Sequence, residues 1–171
     1  TTPDIAIDDY SAEIVKDIKG LKIGIPKEYF VEGMDAGVRD RVLEAAKKFE
    51  ELGAEVIDIS LPHTDLAVAA YYIICPSEVS SNMARYDGIK YGLSKREDSN
   101  LLDIYLNSRA EGLGNEVKRR IMIGTYALSA GYYDAYYKKA MEIRTLVRQD
   151  FEEAYKQVDI ILTPVAPAPA Y

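Results

Sequence analysis

A chain of 171 residues with 21 basic and 28 acidic side chains carries a net charge of −7, which argues against a broad nucleic-acid-binding surface. Its 48% hydrophobic and 29% charged residues match a soluble globular domain, and no apolar run reaches the roughly 18 residues of a membrane helix. One cysteine (Cys75) and one histidine (His63) exclude an internal disulfide and a soft-metal site, and point to a reducing compartment, by default the cytoplasm.

The opening TTPDIAIDDYSAEI lacks the basic and apolar regions of a signal peptide. The missing initial Met points to a processed protein or a piece of a longer chain. Residues 1–20 read as an extended acidic arm. In LKIGIPKEYF, Leu21, Ile23 and Ile25 alternate with Lys22 and Gly24 before Pro26, the pattern of a short buried strand. In DAGVRDRVLEAAKKFEELG, Val38, Val42, Ala45, Phe49 and Leu52 fall at three- and four-residue steps and predict one apolar helix face. Asp35 is a candidate N-cap and Gly53 a candidate left-handed stop. AEVIDISLP is a second strand. Residues 21–62 thus form a βαβ unit with parallel strands.

Residues 63–157 read as mostly helical. The apolar 65–84 stretch contains Pro76, a kink or break. A polar loop leads to a short helix over 100–110, capped by Ser99. A long helical pattern covers 115–157, with Gly124 and Gly131 as weak points. VDIILTPVAPAP supplies a third strand over 158–162 and an extended proline-rich exit. The fold class is α/β: a small, mainly parallel three-stranded sheet with flanking helices. Its open edges call for further strands elsewhere.

Candidate chemistry is sparse. No GxSxG elbow occurs. Ser77, Ser80 and Ser81 read as polar residues at helix breaks and caps. Cys75 reads as a buried small hydrophobe, and His63 as an exposed loop residue. Gly112-Leu113-Gly114 lacks nucleotide-loop spacing. Glu152 and Glu153 read as a solvated helix face. Arg119 and Arg120 point apart on a helix, by about 100°. Arg120, Gly124, Ala127, Gly131 and Asp134 share a stripe whose small residues leave room for a carboxylate beside the guanidinium. A structural ion pair of Arg120 with Glu116 or Asp134 explains the same spacing. Tyr126, Tyr133 and Tyr137 fall on one face and Tyr132 and Tyr136 on another, suited to packing with wet hydroxyls. Base stacking by these rings fits poorly with the acidic balance.

The segments LKIGIPKEYF, YYIICPSEVSSNMARYDGIKYG, EGLGNEVKRRIMIGTYALSAGYYDAYYKKA and DIILTPVAPAPA together resemble the amidase-signature family, and within it the A subunits of glutamyl-tRNA(Gln) amidotransferases, from about residue 15 onward. The resemblance implies a larger α/β/α domain around a mixed sheet. It also implies a Ser–cis-Ser–Lys triad that hydrolyses glutamine and releases ammonia. A B subunit would use that ammonia, with ATP and Mg²⁺, to amidate Glu-tRNA(Gln), contacting the tRNA, while a C subunit braces the pair.

In the family, the triad's lysine and its glycine- and serine-rich signature lie N-terminal to this region, so no catalytic residue is assigned here. The chain reads as a middle-to-C-terminal fragment and is expected to be inactive alone. No cofactor or metal is expected on it, and no membrane partner. Two binding residues carry over. The second arginine of KRRI, Arg120, grips the α-carboxylate of glutamine, and the first tyrosine of YYxI, Tyr71, lines the same pocket. The acidic residue that receives the amino group falls beyond Tyr171. The alternatives are another amidase-signature amide hydrolase and a non-enzymatic α/β interaction domain.

Overall fold

The computed structural model describes residues 4–7, 9–11, 14, 17–97 and 100–170. They divide into two compact units: one runs up to Pro62 and resumes at Asp150, and the other runs from His63 to Gln149.

The first unit holds the sheet. Strand β1 is Lys22–Pro26, helix α1 is Ala36–Glu51 and strand β2 is Glu55–Ile59. The two strands are parallel, with Ile23 opposite Val56 and Pro26 opposite Ile59. The predicted third strand contracts to β3, Ile160–Ile161, which pairs parallel on the other side of β1 and gives the order β2-β1-β3. Its predicted first residue is otherwise employed. The Val158 amide bonds the Ala154 carbonyl at 3.1 Å, closing the preceding helix, and its buried side chain packs with Ile59, Leu61 and Ala154. Flanking bonds from Asp159 N to Lys22 O and from Leu162 N to Gly24 O, each 2.9 Å, extend the pairing.

The βαβ signals act as their chemistry dictates. Asp35 caps α1 by accepting from the Val38 amide at 3.1 Å. Gly53 ends the helix at φ +95°, a conformation that favours glycine. Ala46 is the buried residue of α1, and Val38, Val42, Ala45 and Phe49 are half-buried beside it. Leu52 leaves the predicted apolar face and stands 53% exposed, because the chain has already turned out of the helix there. The described residues of the N-terminal arm carry no helix or strand.

The second unit is helical. Helix α2, Thr64–Met83, runs without a break through Pro76. Ser77 and Ser80 therefore lie inside a helix and not at a break or cap. Ser77 is buried and donates to the Ile73 carbonyl at 2.7 Å, and Ser80 meets the Thr125 hydroxyl at 2.7 Å. Helix α3, Leu101–Gly112, is capped by Asn100, whose side chain accepts from the Asp103 amide at 3.0 Å; Ser99 lies outside the described residues. The intervening loop is tied to α3. The Lys95 amide donates to the buried Ser108 hydroxyl, and Arg109 donates to the carbonyls of Ala84 and Tyr86.

The long helical pattern over 115–157 resolves into three pieces: helix α4, Asn115–Leu128; a π-helical turn, Tyr133–Lys138; and helix α5, Lys139–Ala154. The break falls where Ser129 turns extended (ψ 157°) and Gly131 adopts φ +88°. Gly124 is not a weak point. It is buried inside α4 and lies against the backbone of α2.

Candidate functional site

The site grows from the first turn of α4. Gly114 enters in extended conformation, and Glu116 follows within the first turn, where the helix dipole favours an acid. Arg119 and Arg120 stand three and four residues beyond Glu116, the two spacings at which helical side chains meet. Their backbone positions diverge as the periodicity predicts, yet both guanidinium tips return to the one carboxylate. Arg119 makes a fork, Nε to Oε2 at 2.8 Å and Nη2 to Oε1 at 2.7 Å, and Arg120 Nε donates to the same Oε1 at 2.9 Å. The pair of cations holds the Glu116 carboxyl down to about 2, with Arg119 the larger influence and Arg120 next. Reciprocally, Glu116 first and the Tyr71 hydroxyl second raise Arg120, so it stays charged at every working pH.

The second wall comes from α2. Arg120 Nη1 donates to the Tyr71 hydroxyl at 3.3 Å across 49 residues of sequence. The close approach of α2 and α4 makes this possible. A methyl group placed on Gly124 would come within 1.9 Å of the Pro76 carbonyl oxygen, so only glycine fits. Tyr71–Arg120, Pro76–Gly124 and Ser80–Thr125 ascend both helices in the same sense, so the glycine contact sits one turn beyond the arginine–tyrosine contact. The expectation that Gly124 and Ala127 leave room for a ligand is therefore corrected. Gly124 is filled by backbone and Ala127 is buried, while Gly131 and Asp134 lie past the end of α4. Asp134 pairs with Lys138 at 4.0 Å, and Arg120 takes Glu116 as its ion-pair partner.

Tyr71 has a second neighbourhood. With Ala67, Ala70, Ile74, Cys75, Arg144 and Val147 it lines an open, almost wholly apolar groove of about 260 Å³. Cys75 is only partly buried there, against the expectation of a core residue. His63 is half-buried just ahead of α2, not in an exposed loop. Among the described residues no group of three His, Cys, Asp or Glu side chains is placed to hold a metal ion, and no helix is long and apolar enough to cross a membrane.

The tyrosines group differently from their helical spacing. Tyr126 clusters with Tyr132 and Tyr136, at centroid separations of 4.2 and 6.3 Å, while Tyr133 pairs with Tyr137 at 5.2 Å. The break at 129–132 and the wider π turn shift the register, so Tyr126 leaves the face it would share with Tyr133 and Tyr137. All but the half-buried Tyr137 are exposed, and Tyr137 reaches Glu78 at 3.4 Å.

Spacing on the sequence supplies Glu116 as a partner for Arg120, but not its simultaneous hold on Arg119. Nothing in spacing joins Tyr71 to Arg120.

The family profile described as Amidase matches residues 1–171. A protein of Thermodesulfovibrio yellowstonii, named as the A subunit of glutamyl-tRNA(Gln) amidotransferase, is 57% identical over the whole chain, which covers 35% of that protein. The crystal structure of the glutamyl-tRNA(Gln) amidotransferase A subunit from Thermotoga maritima superposes with a TM-score of 0.62 at 38% identity, covering 93% of this chain and 30% of the other. A bacterial aryl acylamidase of the amidase-signature enzymes shares the fold, with a TM-score of 0.62 at 18% identity over 96% of this chain and 32% of its own. The chain spans about a third of the length of the curated relatives it matches. On the profile, and with a parallel three-stranded sheet and flanking helices shared with solved amidase-signature enzymes, the chain belongs to the amidase family.

Proposed function

We propose that these residues form one wall of the glutamine pocket in the glutamine-hydrolysing A subunit of a glutamyl-tRNA(Gln) amidotransferase. The observation that carries the reading is the Arg120–Tyr71 contact. An always-charged guanidinium meets a phenol at 3.3 Å, and the phenol's ring lines an apolar groove. That combination suits a small amino acid: a carboxylate for the arginine, a hydrogen bond for the hydroxyl and methylene groups for the apolar lining. The relatives' names support the amidotransferase assignment.

In this reading the chain binds and orients glutamine. Ser77 and Ser80 do not act as nucleophiles, since their hydroxyls are engaged within and between helices. The Ser–cis-Ser–Lys triad belongs to other sequence of the full-length protein, and this chain by itself releases no ammonia. The B and C subunits complete a cytoplasmic heterotrimer, in which the B subunit uses ATP and Mg²⁺.

The test is glutamine affinity in the full-length protein. Arg120→Ala removes a charged hydrogen-bonding partner and is expected to weaken glutamine binding roughly thirtyfold or more by calorimetry. Unchanged affinity overturns the assignment.

A further inference from the structure

We infer that Glu116 is a positioning residue for Arg120: by taking the Nε edge of its guanidinium, it presents the Nη1–Nη2 end, with the Tyr71 hydroxyl beside it, to the carboxylate of the ligand. This rests on the reading of Arg120 as the carboxylate-binding residue.

The donor inventory supports it. A guanidinium has five N–H groups in a planar fork and grips a carboxylate either side-on, through Nε and one Nη, or end-on, through both Nη nitrogens. Glu116 Oε1 already accepts from Nε at 2.9 Å, which closes the side-on mode. Nη1 spends one hydrogen on the Tyr71 oxygen at 3.3 Å. The end-on pair keeps one hydrogen on Nη1 and two on Nη2. The Tyr71 hydroxyl, having accepted from Arg120, keeps its own hydrogen to donate. A ligand therefore meets N–H donors from two nitrogens and one O–H donor, with the phenol's remaining lone pair the one weak acceptor beside them. That suits a carboxylate and penalises a carboxamide, whose NH₂ group would face donors.

Arg119 plays the outer part. Its side chain is 61% exposed, against 30% for Arg120, and it holds both oxygens of Glu116 in a fork. Glu116 is thus itself fixed before it fixes Arg120. The charges also match: two guanidinium cations and one carboxylate leave a single positive charge for a single ligand anion. Glu116 is ionised at neutral pH, since Arg119 and then Arg120 hold its carboxyl down to about 2. An ordinary exposed ion pair on a helix contributes little to stability. A merely structural role would therefore change neither affinity nor ligand choice.

The experiment uses the full-length protein and two ligands, glutamine and glutaminamide, in which a carboxamide replaces the α-carboxylate. Glu116→Ala is expected to raise the glutamine KM about tenfold, the scale of one charge-assisted hydrogen bond's orientation, with kcat within about twofold and glutaminamide affinity unchanged. Glu116→Gln keeps one oxygen for Arg120 Nε and is expected to restore KM to within about threefold, because the group is isosteric on an exposed first turn. Unchanged KM in Glu116→Ala, beside a large rise in Arg120→Ala, overturns the positioning role and leaves the pocket standing. Equal losses for the two ligands, or a fall in kcat at fixed KM, overturn it as well. If Arg120→Ala is itself silent, the pocket reading fails and the positioning role falls with it.

Discussion

In the unit that carries the sheet, Ile59, Leu61, Ala154 and Val158 form a cluster with Phe151 and Tyr29 packed against it, and Ile23 is wholly buried. In the helical unit, the buried residues of α2 and α4 are Ala70, Pro76, Ser77, Gly124 and Ala127. The first is held by branched side chains meeting one another, and the second by small residues that let two backbones touch. The two should therefore fail in opposite ways, the sheet core by loss of volume and the helix pair by gain of volume.

The largest effect is expected where nothing can yield. Gly124→Val places atoms inside the Pro76 carbonyl group, and those are backbone atoms, not the end of a flexible side chain. The helices must part, which also separates Tyr71 from Arg120. A cost above about 4 kcal/mol in denaturant unfolding is expected, beyond the usual overpacking range of about 1–3 kcal/mol. A cost under about 1 kcal/mol would show that α2 and α4 are not in backbone contact. The opposite change, Leu61→Ala, empties a site that is 1% exposed and is expected to cost about 3 kcal/mol. Should Leu61→Ala prove harmless while Ala127→Leu is also tolerated, the contrast between the units would collapse.

The contrast also explains what the sequence makes legible. Side-chain cores write themselves as periodicity, so Ile23 and Ile25, the α1 face from Val38 to Phe49, the Asp35 cap and the Gly53 stop are readable directly. Backbone contacts leave a weaker trace. Gly124 reads equally as a flaw in a helix or as open space, because its role depends on Pro76, 48 residues away. Pro76 reads as a break because a local rule takes no account of the packing that holds α2 together. The candidate site falls between. Glu116 and Arg120 share a helix, so their pairing is a spacing argument, whereas the Tyr71 contact depends on how α2 meets α4. Only the resemblance to a family named both Arg120 and Tyr71. The register of the tyrosines departs from simple spacing for another reason: a 3.6-residue period does not hold across a break and a π turn.

That tyrosine register yields the smallest and most local test. Tyr126 is held neutral up to about 12, chiefly by its hydrogen bond with Tyr132, against an ordinary value near 10. A raised folded value means that the folded state keeps its proton where the unfolded chain has lost it. Any stability from this bond is complete below about pH 10 and is lost as the pH climbs through about 12. Phenolate absorbance should therefore show a late component in the alkaline titration. Tyr132→Phe should shift the Tyr126 share of that component back toward 10, and Tyr133→Phe should leave that share in place, because Tyr133 bears on Tyr137, itself raised chiefly by burial, instead. If Tyr133→Phe moved it and Tyr132→Phe did not, the chain would be helical without interruption through residues 129–132. Tyr126 would then rejoin the face that simple periodicity assigns it.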